Sequence, residues 1–322
     1  MQRVSHLPVK LFFPSLAAFI ACAAIQSSRA EEPYLKPDDV IALVGGEDMV
    51  AAGEQFGFLE FHLQRALPHL RLKVRNIAWE GDTVFEQARM LNYPKLEHQL
   101  DELGATVVIM QFGQMEYLKG KKELPQFIEA YESLIRRLRG NVDSRRLMIL
   151  SPSAFNSSSS DVGGPARVSS EMKSDLEAYA ASIRKLAGQM SAMYVDVTDV
   201  KEDDPIKRDG VHWNDNGQAI IAETICVALG CPKVDETTAP NVASAARLIP
   251  AIKAKNRLWD RYRRPQNWAF LAGDRVTQAS SRDHIDPSKR WFPEEMKEFL
   301  PLIAAREHEI WDVAAKLKRE NK

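Results

Sequence analysis

Apolar residues in this chain follow two alternating rhythms. Residues 39–45 (Asp-Val-Ile-Ala-Leu-Val-Gly) and 105–111 (Ala-Thr-Val-Val-Ile-Met-Gln) are nearly continuous apolar runs, the pattern of strands buried on both faces. Residues 71–78, 147–150 and 193–197 repeat it more briefly. Between these runs the apolar positions recur at helical spacing: Phe58, Phe61, His62 and Leu67; Phe85 and Met90; residues 94–103; Phe127, Tyr131, Leu134 and Leu138; Leu176, Tyr179, Ile183, Leu186 and Met190; and Gln218 to Leu229. Strand and helix therefore alternate five times. This predicts an α/β fold, a five-stranded parallel sheet covered by helices on both sides. Sites in such sheets form at the carboxyl ends of the strands, here 45–48, 79–83, 112–117 and 151–155. Asp82 or Thr83 is placed to cap the helix through Phe85 and Met90.

The strand rhythm then stops. Residues 31–235 read as the α/β domain and residues 236–322 as a helical extension packed on it, with helices at 241–262 and 293–319 around an irregular middle. Trp259, Tyr262, Trp268, Trp291 and Phe292 concentrate aromatic surface in that extension. Two readings of them stand: packing against the main domain, or a sugar-stacking surface.

The first thirty residues have the pattern of an export signal. Arg3 and Lys10 give a positive start, Leu11 to Ile25 is apolar, and Ser28-Arg29-Ala30 offers small residues for cleavage after Ala30. The apolar stretch is short for a span of about 20 residues, and Phe19-Ile20-Ala21 before Cys22 fits lipoprotein processing poorly. A mature chain beginning at Glu31 carries 40 basic and 44 acidic residues, a net −4. That charge offers no field for nucleic acid. With no later apolar span, the mature protein is expected to be secreted or periplasmic and soluble. Its two cysteines, Cys226 and Cys231, flank a predicted helix end. They read equally as a local disulfide or as two buried thiols.

Candidate chemistry lies at the strand ends. Asp209 and His212 stand three residues apart, so one turn brings the carboxylate to the imidazole and leaves the other ring nitrogen as a general base. The plainer alternative is that His212 caps or packs the following helix. The first strand ends in Gly45-Gly46-Glu47-Asp48, so the residue facing such a base would be a carboxylate.

In order along the chain, these segments resemble the four blocks of the SGNH (GDSL-like) hydrolase family. The resemblance covers about 38–232 and implies a flavodoxin-like three-layer fold. Gly45, Gly46 and Glu47 match the Gly-Asp-Ser nucleophile block, with Glu47 in place of the serine. Gly81 matches the oxyanion-hole glycine. Gly113-Gln114-Met115-Glu116 matches Gly-x-Asn-Asp, with Met115 at the asparagine. Asp209 and His212 match Asp-x-x-His, with Asn214 and Gly217 leading into the last helix. Together with Arg264-Pro265-Gln266-Asn267, the pattern looks like a secreted subgroup whose first block is not Gly-Asp-Ser. The resemblance implies an esterase acting on carbohydrate-linked (acetyl) esters, a small-molecule or carbohydrate ester as ligand, and no cofactor.

Glu47 alters that expectation. A carboxylate attacking an ester would give an anhydride, and Met115 donates no hydrogen bond to an oxyanion, a deficit of roughly 10²–10³ in rate. Gln114 supplies a donor if the loop is shifted by one residue. Three readings of Glu47 follow: it acts with His212 on water; it joins Asp82, Glu116, Asp209 and His212 around a divalent cation; or it marks a silent carbohydrate- or wall-binding module whose fold has outlived its chemistry. Ser151 and Ser153 read as loop caps or as residues facing the same cleft, with capping the preferred reading, and Asn76 and Trp79 as packing or as direct ligand contacts, with packing preferred. Asn267 and Arg264 read either as residues folded over the cleft or as an ordinary turn amide and helix-end charge.

Overall fold

In a computed structural model, which describes residues 33–53, 57–140, 145–155, 170–198, 212–233 and 239–320, all five strands form one sheet. They are β1 (Val40–Gly45), β2 (Lys73–Asn76), β3 (Val107–Gln111), β4 (Arg146–Leu150) and β5 (Met193–Val195). Every pairing is parallel and the order is β2-β1-β3-β4-β5. Successive side chains of a strand point to opposite faces, so the runs divide cleanly. Ala42, Val44, Val108 and Met110 face one layer, formed by α3 (Leu96–Glu102), α4 (Leu124–Arg139) and α5 (Ser170–Gln189). Ile41, Leu43, Val107 and Ile109 face the other, formed by α1 (Glu47–Ala51), α2 (Phe58–Ala66) and α6 (Asp215–Ala228). The result is the three-layer α/β sandwich that the alternation predicts.

One predicted helix does not form. Residues 83–95, around Phe85 and Met90, are irregular, because their polar groups have stronger partners elsewhere. Asp82 takes both guanidinium nitrogens of Arg89 (2.6 and 2.7 Å). The Val84 amide donates to Glu116 (2.9 Å), and Thr83 and Glu86 bond each other. A helix would have to surrender each of these.

After α6 come α7 (Ala239–Arg263), the short α8 (Trp268–Leu271), α9 (Trp291–Lys297) and α10 (Phe299–Glu320). Leu248, Ile252, Ile310 and Ala314 of α7 and α10 enclose Phe61 of α2 in a satellite core. These helices also cover the exposed edge of β2, where unpaired carbonyls would otherwise template another chain. Trp311 Nε1 donates to the Leu72 carbonyl (3.1 Å), Lys255 Nζ to Val74 (3.1 Å), Trp259 Nε1 to Asn76 (2.7 Å) and Arg263 Nη2 to Ala78 (2.6 Å). The Leu72, Val74 and Asn76 carbonyls alternate because only every second one of the strand points out of the edge; past the strand end Arg263 also donates to the Ile77 carbonyl (3.3 Å). Much of the aromatic character of the extension therefore has a structural use. Among the described residues, no helix is long and apolar enough to cross a membrane. Cys226 and Cys231 are both buried and unbridged, joined instead through their backbone (Cys231 N to Cys226 O, 2.9 Å).

His62 on α2 is buried beside the Phe61 ring (centroids 5.2 Å apart). Burial first, and the charge of Arg65 second, push its pKa down to about 4. Between that value and the ordinary 6.5, the unfolded chain holds the proton and the folded chain does not, so acid favours unfolding in this window and the stability returns above it. At about 1.4 kcal/mol per pKa unit, the loss on acidification is expected to be about 3 kcal/mol. Urea unfolding between pH 6.5 and 4 should show it, and His62→Gln should flatten the slope.

Candidate active site

The carboxyl ends of β1, β2 and β3 and the start of α6 enclose a cleft of about 230 Å³. Its floor depends on Gly45. The φ of +148° there suits glycine, and a Cβ would stand 2.4 Å from the Gln111 carbonyl. The chain can thus turn sharply from β1 into α1 and present Glu47 on its first turn. Asn76, at the end of β2, ties the far end of α1 by donating to the Met49 and Val50 carbonyls (2.9 Å each).

Glu47 and His212 both reach this cleft. His212 Nε2 lies 3.9 Å from Glu47 Oε1, and the two side chains are 35% and 46% exposed, so solvent reaches both. Asp209 lies outside the described residues. Asn214 caps α6 by accepting from the Gly217 amide (3.0 Å), which fixes the start of the helix just beyond His212.

Beneath this exposed pair lies a second, buried pair. Asp48 Oδ2 accepts from Trp213 Nε1 (3.0 Å) and from Ser153 Oγ (2.6 Å). Ser153 Oγ in turn accepts from the Gln114 amide (2.6 Å). One carboxylate therefore joins the loops after β1, β3 and β4 to the residue next to His212. Sequence reasoning missed Asp48 and Trp213 as site residues. Their signal is adjacency, since consecutive helical residues point about 100° apart and an outward Glu47 leaves Asp48 inward.

Three expected ligand contacts have other tasks. The Gly113 amide donates to Glu116 Oε2 (2.9 Å), so it is spent before any oxyanion arrives. The Gln114 side chain lines the cleft but its amide holds Ser153. Asn267 lies outside the cleft, beside Phe270 and Trp291 in a separate recess of the extension. Met115 lines the cleft and is 55% exposed. Gly81 borders it with a φ of +80° and open space where a Cβ would be. Among the described residues, the backbone amides of Glu47 and Gly81 donate to no other group.

Two of the carboxylates considered for a cation, Asp82 and Glu116, already have partners. Asp82 is committed to Arg89, and both Glu116 oxygens accept backbone amides, from Val84 and Gly113 (2.9 Å each). Burial pushes the Glu116 carboxyl pKa up, against those amides. Among the described residues no group of three or more potential ligands could hold a metal. Glu116 instead clamps the second and third loops together. Glu116→Gln leaves one of the two amides facing an NH₂ group, so it is expected to cost about 1–3 kcal/mol, read by urea unfolding. Ser151 is likewise structural, accepting from the Val197 amide (2.8 Å).

The second loop is braced from the extension. Trp79 carries three guanidiniums on its ring, those of Arg89, Arg263 and Arg264, at 4.7, 5.2 and 4.4 Å. Arg264 also pairs with Glu80 (2.8 Å). Arg264 therefore supports the cleft's wall from behind.

A parallel β2-β1-β3-β4-β5 sheet with an imidazole and a carboxylate beside its carboxyl edge defines a three-layer α/β protein with a candidate acid–base pair where such folds place their sites. The chain belongs to the GDSL-like lipase/acylhydrolase family, whose sequence profile matches residues 32–225. Among solved structures, BT4096, described as a gut microbial diltiazem-metabolizing enzyme, is similar with a TM-score of 0.59 at 11% identity, over 89% of this chain and 96% of that one. That match reaches into the C-terminal helices. A catalytic mutant of Axe2, an acetylxylan esterase from Geobacillus stearothermophilus, matches 62% of this chain and 98% of its own (TM-score 0.48, 16% identity). A GDSL-like lipase from Parabacteroides merdae gives the same TM-score and identity, over 62% and 99%. No curated protein matches the sequence.

Proposed function

We propose that this chain is an exported ester hydrolase that removes short acyl groups, such as acetyl, from carbohydrate hydroxyls by direct attack of water. The observation that carries the reading is the Glu47–His212 pair, 3.9 Å apart at the mouth of a cleft and open to solvent. A water held by these two groups gives its proton to His212 Nε2 as its oxygen bonds to the ester carbonyl carbon. The Glu47 carboxylate offsets the charge of the resulting imidazolium. The amides of Glu47 and Gly81 are donors available to the oxyanion. Collapse of the adduct breaks the acyl C–O bond, and the imidazolium returns its proton to the departing alkoxide. The products are a carboxylic acid and an alcohol, and no bond to the protein is made. The resemblance gives Asp209 the task of orienting His212.

The cleft's size supports a short acyl group, since about 230 Å³ is below the ~300–1,000 Å³ of sites for drug-sized ligands. The carbohydrate part of the substrate rests on the family resemblance, and export rests on the signal pattern before Glu31. A second reading, a silent carbohydrate-binding module, draws support from Met115, which donates nothing where the family pattern has an amide.

The test is hydrolysis of 4-nitrophenyl acetate and acetylated xylo-oligosaccharides by the mature chain, with intact-mass spectra taken during turnover. Turnover without an acylated protein is expected. An acyl adduct would overturn the water route, and absence of turnover together with saturable oligosaccharide binding would establish the silent module.

A further inference from the structure

A second cavity, of about 490 Å³, opens between β2, α3 and the C-terminal helices. It shares no lining residue with the cleft. Tyr93, Trp259, Tyr262 and Trp268 give it aromatic walls, and Leu103 and Met296 add apolar surface. Its size falls within the range of small-molecule sites, and a few placed polar groups among apolar walls is their usual composition.

The charges in the lining are unbalanced. Lys73, Arg75, Arg263 and Lys297 face one carboxylate, Glu102, which is itself exposed. Arg75 is neutralised by Glu307 (2.5 Å) and Lys297 by Glu294 (3.0 Å). Among the described residues, Lys73 and Arg263 have no carboxylate partner within 4.0 Å. Arg263 is the more telling of the two, being only 8% exposed. Its guanidinium lies over the Trp79 ring (5.2 Å) and donates to the Ile77 and Ala78 carbonyls (3.3 and 2.6 Å), which satisfies donors but supplies no full negative charge. The nearby Asp260 pairs with Arg264 instead (3.7 Å). Asp260 and Asp82 act on Arg263 only from beyond pairing distance; a buried cation without a directly paired counter-ion is costly, and here it borders an apolar cavity in a chain whose overall charge is negative. Lys73 opens β2 and stands four residues before Ile77, about 13 Å by the strand rise, so it extends the positive field along the cavity without crowding Arg263.

We propose that this cavity binds a free amphipathic carboxylate, with its head at Arg263 and its apolar tail between Trp259, Tyr262 and Trp268. The inference does not depend on the catalytic reading.

The experiment titrates the full mature chain with decanoate, following tryptophan fluorescence and confirming stoichiometry by calorimetry. Decanol controls for the charge and acetate for the tail. Decanoate is expected to bind one to one, at least tenfold more tightly than decanol, with no response to acetate. Leu103→Trp, which fills the cavity, should abolish decanoate binding and leave ester hydrolysis unchanged. Arg263→Gln should weaken decanoate at least tenfold and decanol little. If Arg263→Gln does not fold, Lys73→Glu supplies the charge test, with a smaller loss in the same direction. Equal binding of decanol and decanoate, absence of saturable binding, or unchanged binding by Leu103→Trp would each overturn the proposal. The last result would place the ligand elsewhere.

Discussion

Replacing His212 with alanine is expected to lower kcat/KM for a short acyl ester by roughly 10²–10⁴, the usual contribution of a positioned general base. At about 1.4 kcal/mol per tenfold, this is a loss of about 3–5 kcal/mol of transition-state stabilisation. The imidazole is the group on the described cleft wall best suited to accept a proton from water near neutral pH. Glu47→Gln keeps the shape and removes the charge. Two unit charges about 4 Å apart interact by about 1 kcal/mol in water and about 4 kcal/mol near a protein surface. Both side chains here are well exposed, at 35% and 46%, so the lower figure governs and about a fivefold loss is expected. If the two act on one water, the double variant should be no worse than His212→Ala alone, because removing the base already removes the charge that Glu47 offsets. Michaelis–Menten kinetics of the four proteins check this. A parent with turnover that survives His212→Ala would sink the assignment.

The residues the sequence reveals and those it hides differ in a physical way. The strand run at 105–111 is legible because burial on both faces needs only local composition, and β3 forms there. The helix expected through Phe85 and Met90 fails because its polar groups find distant partners, Glu116 for the Val84 amide above all. No local pattern encodes that pairing. The same holds within the site. Glu47 and His212 stand out because their residue types are chemically active, whereas their neighbours Asp48 and Trp213 become meaningful only once β1 and α6 are side by side. The outward pair faces solvent and the inward pair, linked at 3.0 Å, fixes its position. A substitution at Glu47 in the sequence therefore leaves the scaffold beneath it intact. Gly113 and Gln114 mislead for the converse reason: their types suit an oxyanion, but Glu116 and Ser153 already hold them.

The largest effect on stability is expected where the extension meets the main domain. Lys255 on α7 is fully buried, its ammonium 2.6 Å from Glu60 of α2, whose side chain is 3% exposed. Burial opposes both charges, pushing the Lys255 pKa down and the Glu60 pKa up, and each partner works against that shift in the other. Lys255→Met removes one partner and leaves a buried carboxylate facing apolar surface, so it is expected to cost about 3–5 kcal/mol. The cost should shrink in acid, where Glu60 can take up a proton and shed its charge. Glu60→Leu combined with Lys255→Met should recover most of the loss, because an apolar pair of similar volume avoids desolvating two ions. Recovery should fall short by roughly 1–3 kcal/mol, since Lys255 also serves the Val74 carbonyl on the sheet edge (3.1 Å) and that acceptor is left unpaired. Urea unfolding of the parent, both single variants and the double variant measures all three terms. A Lys255→Met cost below about 1 kcal/mol, the level of exposed pairs, would mean that the ion pair does not anchor the extension and that the apolar contacts around Phe61 hold it alone.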